Sequence, residues 1–293
     1  MIYYVLIVVA ALALAINGLC SKVYQKNEGE GFYKTLIFAT ISSTIGMVVM
    51  LIISGFQVQF KTFSLIIALL QASMSIVYIF VGIKAMSVVN LSLYALFTNA
   101  GGMILPFLYG IIFGGEDITW TKVACIILLV IALYIGGGKI KNANGIFYCV
   151  LMFLANGLFS AFAAWHQDYP ELAVGSTQFS FLFYLCEALA MLIVLGVIIC
   201  KRGLKRSSQI FSLAKKGSSI LASILFFVFN GGANLILLVA LSGGIDASLQ
   251  YPLCTGGCMI FSTIISLIIG EKPQKNNWIS VIVAFSGLVL LCF

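Results

Sequence analysis

Long apolar stretches separated by short polar breaks run along the whole chain. They fall at 2–21, 33–54, 63–85, 91–113, 119–137, 145–165, 176–200, 218–241, 246–270 and 277–293. A helix needs about 20 apolar residues to cross the hydrocarbon core of a bilayer, and most of these stretches have them. None shows the strict alternation of a membrane β-barrel strand. Lipid also tolerates no unpaired backbone, so each stretch predicts an α-helix. The expected fold class is an all-α polytopic membrane protein with ten transmembrane helices. The first stretch begins at Ile2 without the basic leader of a secretory signal. Ala13-Leu14-Ala15 mimics a cleavage site, yet the internal repeat described next makes a retained helix the expectation.

Five stretches lie in 1–141 and five in 145–293, and the two segments resemble each other. Asn17-Gly18-Leu19 with Ser21 recurs as Asn156-Gly157-Leu158 with Ser160. Ser92-Leu93, Gly101, Met103 and Ile104 recur as Ser248-Leu249, Gly257, Met259 and Ile260. Glu116 then falls opposite Glu271, and Trp120 opposite Trp278. An odd number of spans per repeat turns the second half upside down in the membrane. Inverted repeats of this kind underlie alternating access in many secondary transporters.

Composition narrows the classes further. Of 293 residues, 62% are apolar and 9% charged, with a mean hydropathy of +1.14. Soluble domains are about half apolar and a quarter charged, so no ordinary soluble enzyme fits. No GxxxxGK[ST] phosphate loop exists, which excludes ATP-driven transport by this chain alone. The eight cysteines, Cys20, Cys125, Cys149, Cys186, Cys200, Cys254, Cys258 and Cys292, are scattered through apolar stretches and are read as packing residues. Cys254 and Cys258 sit one turn apart, but no histidine or carboxylate beside them completes a metal site. No cofactor or metal is expected. His166, the one histidine, lies at a predicted helix end beside Trp165 and is read as interfacial.

At this point the residues carry a family resemblance. The run from Val81-Gly82-Ile83-Lys84-Ala85 through Asn90-Leu91-Ser92-Leu93 to Gly115-Glu116 and Trp120 resembles helices 3 to 5 of EamA-type transporters, in the drug/metabolite transporter superfamily. Ala240-Leu241 through Ala247-Ser248-Leu249 to Gly270-Glu271 and Trp278 is similar to the same pattern. The resemblance implies five plus five helices. It also implies a central cavity lined by helices 1–4 and 6–9, with helices 5 and 10 peripheral. It names no substrate, since the superfamily carries amino acids, nucleotide sugars, drugs, amines and vitamins.

Charge sets orientation. Lys61 and Lys122 stand on one side, and the other fourteen Lys and Arg residues stand on the opposite side, six of them within 201–216. The positive-inside rule then puts both termini on the non-cytoplasmic face of a plasma membrane of the bacterial inner-membrane type. The resemblance implies cytoplasmic termini, so charge and family pattern disagree here. The net charge of +7 sits in loops, where it orients the chain and meets anionic headgroups; no nucleic-acid partner is expected.

The polar residues inside the stretches are the candidate site. Glu187 lies near the middle of the seventh stretch. An acid there costs roughly 2.5–3.5 kcal/mol on insertion scales, so it must face a cavity, find a partner or carry a proton. Ser180, Tyr184 and Met191 share its helical face, and its counterpart in the first half falls near Ser43, which breaks the repeat symmetry. Gln71, Ser75 and Tyr78 form one face of the third stretch, and Asn230 and Asn234 one face of the eighth. Tyr94, Thr98 and Asn99 in the fourth correspond to Gln250, Tyr251 and Thr255 in the ninth, while Asn17 and Asn156 add one amide from each half. Each of these residues is a candidate substrate contact and equally a candidate hydrogen-bonding link between helices. Gly101-Gly102, Gly231-Gly232 and Gly256-Gly257 permit close helix approach, and Pro106 and Pro252 are expected to interrupt their helices.

The leading expectation is a secondary transporter for a small organic metabolite or drug-like molecule. Glu187 among Tyr184, Tyr78, Tyr94 and Tyr251 suits an amine or quaternary cation held by charge and cation–π contact, with Glu187 as the proton-coupling candidate. A facilitator for a neutral or zwitterionic metabolite of amino-acid or vitamin type is the alternative. A lipid scramblase and an intramembrane enzyme are remote alternatives, the latter lacking paired acids, a His pair or a Ser–Lys dyad. The expected partners are a small-molecule substrate, the lipid bilayer and protons. Both halves of a pore lie in one chain, which makes a monomer sufficient and leaves a homodimer open.

Overall fold

The computed structural model describes residues 2–29, 31–113, 119–137, 143–202, 217–243, 245, 247–270 and 275–290. Ten helices occur among them: α1 (Ile2–Glu28), α2 (Phe32–Ile53), α3 (Thr62–Val88), α4 (Leu91–Ile112), α5 (Trp120–Gly137), α6 (Ala143–Gln167), α7 (Ser176–Arg202), α8 (Gly217–Ser242), α9 (Ala247–Ile268) and α10 (Lys275–Leu290). No strand occurs among the described residues. Eight helices are long and apolar enough to cross a membrane. The apolar runs described in α5 and α10, Val123–Ile135 and Trp278–Gly287, are shorter. The Glu116/Glu271 match, Gly115, Lys139, Lys141, Lys205, Arg206, Lys215, Lys216, Lys272 and Cys292 lie outside the described residues, as do the side chains of Lys122, Arg202, Ser248 and Leu249.

Helix ends differ from the apolar stretches in one informative way. α1 and α3 run past their apolar segments, to Glu28 and Val88. Hydropathy stops where polar residues begin, but the backbone ladder continues wherever tertiary contacts support it. Here Lys22 Nζ donates to Met86 O (2.7 Å) and Val89 O (3.3 Å), which binds the end of α1 to the C-terminus of α3. A cation at carbonyls left open by a helix end is favourable. Lys34 Nζ donates to Glu28 O at the start of α2. α4 begins at a true N-cap, since Asn90 Oδ1 accepts from Leu93 N at 2.8 Å.

Most helix contacts, and all of the most extensive ones, recur when each helix is exchanged for the one five places on. α1 lies against α8 and α9, and α6 lies against α3 and α4. α3 meets α7 as α8 meets α2, and α2–α7, α4–α9 and α5–α10 pair with their own counterparts. The two halves therefore interlock instead of forming separate bundles. α4 has the most buried apolar window, at 67%. Its contact with α6 depends on glycine: a Cβ on Gly101 would land on the Phe153 carbonyl, and one on Gly157 would sit 2.6 Å from Gly101 O. The counterpart contact of α9 with α1 is looser, with 3.0 Å from a Gly257 Cβ to Ala11 Cβ. α4 and α9 run continuously through Pro106 and Pro252, contrary to the expected interruption. Neighbouring helices can hold a proline-containing membrane helix together.

Candidate functional site

The polar faces predicted from spacing converge on one internal cavity of about 90 Å³, room for a small cluster of waters. α3 contributes Gln71, Ser75 and Tyr78; α4 contributes Tyr94, Thr98 and Asn99. From the second half come Asn156 and Ser160 of α6, Asn230 and Asn234 of α8, and Tyr251 and Thr255 of α9. Spacings of three, four and seven residues put these side chains on single helical faces, as helix geometry requires. α1 reaches the cavity through Leu14 and Gly18.

The expected lining by helices 1–4 and 6–9 narrows to six helices. Among the described residues, neither α2 nor α7 reaches the cavity. Glu187 and Tyr184 therefore stand behind its wall. Glu187 is 3% exposed, and its Oε1 accepts from Ser75 Oγ at 2.6 Å. Ser75 is itself a lining residue, so one hydroxyl separates the acid from the cavity. The Tyr184 ring fills a slot between two glycines. A Cβ on Gly46 of α2 would lie 2.5 Å from Tyr184 Cδ1, and one on Gly231 of α8 would lie 2.5 Å from its Oη. That buried hydroxyl has no hydrogen-bond partner.

Several candidates act as links between helices. Asn156 Nδ2 donates to Thr98 O (2.8 Å), and Gln71 Nε2 to Phe159 O (3.2 Å). Tyr251 Oη donates to Ser160 O (3.2 Å), and Tyr94 Oη to Tyr78 Oη (3.0 Å). Asn17 lies just off the cavity and donates through Nδ2 to Asn230 Oδ1 (3.4 Å). Asn234 Nδ2 donates to Asn230 O (2.9 Å). Gln250 is fully buried, donates to Leu237 O (2.9 Å) and does not line the cavity. Ser21 Oγ donates to Asn17 O, and Ser160 Oγ to Asn156 O.

Two lining groups remain unspent. Thr98 Oγ1 and Asn99 Nδ2 are buried and make no hydrogen bond of ordinary geometry. Sequence reasoning also passed over Cys254 and Cys258. Both line the cavity as free, buried thiols, on the face of α9 that carries Tyr251, Thr255 and Ser262. The signal was the spacing from Tyr251, which their apolar character masked. No group of three or more potential metal ligands occurs among the described residues.

His166 has partners that its place in the sequence did not show. It is fully buried within the protein near the end of α6: its ring stacks on Phe179 at 3.7 Å, and Nε2 lies 2.9 Å from Ser64 Oγ. Ser64 Oγ in turn accepts from Val174 N (3.0 Å), and Lys61 Nζ donates to Glu171 O and Ala173 O (3.0 and 2.7 Å). These bonds fasten α6, α3 and the segment leading into α7.

No protein-family model matches the chain, and no curated protein matches it. Solved structures do match, in 28 chains. One, described only as the crystal structure of a protein, superposes with a TM-score of 0.61 at 13% identity, covering 99% of this chain and 95% of its own. At that identity the likeness shows a shared fold.

Proposed function

We propose that the protein is a secondary transporter for a small organic solute, working by alternating access across two inverted five-helix repeats. The observation that carries this reading is the exchange-symmetric packing around a polar cavity lined by both halves. Such an arrangement can open to one side in one conformation and, by exchanging the roles of the halves, to the other. Ten spans, both termini outside and membership of the EamA-type transporters belong to the same proposal. The resemblance of residues 81–120 and 240–278 supports the last of these.

A second reading is an amine or quaternary cation moved in exchange for protons at Glu187. Its support is that a single side chain, the lining Ser75, separates Glu187 from the cavity, so this reading requires that hydroxyl to release the carboxylate. The test is a thermal-shift screen of purified protein against amines, amino acids and vitamins at two pH values, followed by uptake of each hit into proteoliposomes. A stabilising compound that is then taken up supports the transporter reading. A stabilising compound that no gradient moves would refute it.

A further inference from the structure

We infer that the cavity selects an uncharged solute carrying hydrogen-bond acceptor oxygens, received by Asn99 and Thr98 of α4, and that Glu187 does not touch it. This rests on the cavity being the solute site.

Among its described lining residues the cavity has no charged side chain, only amides, hydroxyls, phenols, thiols and apolar groups. A charge brought into such a space loses its water and finds no counter-ion. Glu187 is shielded by Ser75, whose hydroxyl is already given to it. The exposed Asp168, just past the end of α6, acts electrostatically on the lining Tyr251 without itself lining the cavity. No lysine or arginine of α2 or α3 is bonded to the Glu187 carboxylate. α2 has one charged residue, Lys34, bonded to Glu28 O, and α3 has one, Lys84, exposed near its C-terminal end. The titratable neighbours of Glu187 on its own helix are the buried Cys186 thiol and Tyr184, whose hydroxyl is turned to Gly231.

The uncharged donors tell the complementary story. The Gln71, Asn156 and Asn234 amides each donate to a backbone carbonyl. Asn99 Nδ2 does not, and neither it nor Thr98 Oγ1 makes a hydrogen bond of ordinary geometry, their polar neighbours being Cys258 and Tyr94, although they are 6% and 5% exposed. A buried donor left unmet is costly, and an acceptor oxygen on a solute would satisfy it. Carbonyl and hydroxyl oxygens of amides or polyols have that chemistry.

Cys254 and Cys258 provide reporters inside the cavity. The full chain in lipid nanodiscs is treated with three methanethiosulfonates bearing hydroxyethyl, trimethylammonium-ethyl or sulfonatoethyl groups. Rates at these two thiols are read by peptide mass spectrometry and normalised to those with a free thiol. Cys254→Ser/Cys258→Ser defines the background from other cysteines. The hydroxyethyl reagent is expected to react at least about tenfold faster than either charged one, a modest value for excluding an unpaired charge. Asn99→Asp is expected to reverse the order in favour of the cationic reagent. Thr98→Asp serves the same purpose if the first variant fails to fold.

A cationic preference in the native chain that disappears in Glu187→Gln would overturn the inference and leave the transporter reading standing. An anionic preference, or aspartate variants that leave the order unchanged, would also overturn it. No reaction with any reagent would refute the cavity as a solute site, and with it the transporter reading.

Discussion

Ser75 is the residue on which the acid depends. Its hydroxyl is the hydrogen-bond partner found for Glu187, across the contact of α3 with α7. Ser75→Ala is expected to lower stability by about 1–3 kcal/mol, the usual cost of stranding a buried polar group. Glu187→Gln keeps an acceptor for the same hydroxyl and is expected to cost less than half as much. Thermal unfolding of both variants in detergent checks this, and equal losses would refute the pairing. His166 makes a second case. His166→Phe retains the stack on Phe179 but strands Ser64, while His166→Ala loses both. Faster amide exchange at 168–175 is expected in both variants, with the larger drop in melting temperature for alanine. The sequence displayed both residues, but not their partners, which lie 112 and 102 positions away.

At the scale of elements, repeat symmetry predicts two equivalent glycine contacts, and the structure makes them unequal. Gly101 meets the Phe153 backbone, which cannot yield, whereas Gly257 faces only the Ala11 methyl at 3.0 Å. Gly101→Ala is therefore expected to cost about 1–3 kcal/mol through overpacking of α4 against α6. Gly257→Ala is expected to stay well below that, by the same melting measurement. Comparable effects would show that the two halves pack alike after all. The glycine pairs were visible in the sequence because spacing repeats. Their inequality was not, since it arises from how closely each helix pair approaches. The same limit explains α7: periodicity put Ser180, Tyr184, Glu187 and Met191 on one buried face, but that face meets α2, α3 and α8 and not the cavity.

For the whole molecule, charge asymmetry carries the prediction of topology. With both termini outside, a C-terminal phosphatase fusion is expected to be active and a cytoplasmic fluorescent reporter dark. Replacing the six Lys and Arg residues of 201–216 by glutamine is expected to weaken or invert that pattern, because short basic loops resist translocation. A native chain with the reverse reporter pattern would restore the cytoplasmic termini implied by the family resemblance. Trp120 and Trp278, at the starts of α5 and α10, are 88% and 38% exposed. Exposed tryptophans at helix ends suit a membrane–water interface.

Taken alone, the amino-acid order determined the ten helices, their approximate limits and the polar faces of α3, α4, α6, α8 and α9. These follow from local physics: apolar run length, helical period and the cost of unpaired backbone in lipid. Tertiary structure alone decided which faces share a space. It put α2 and α7 behind the wall, turned Cys254 and Cys258 toward the cavity, buried His166 and left Asn99 unspent. The reason is that an apolar residue facing lipid and one facing another helix look alike in hydropathy. Only the packing of distant segments distinguishes a buried link from a surface that awaits a ligand.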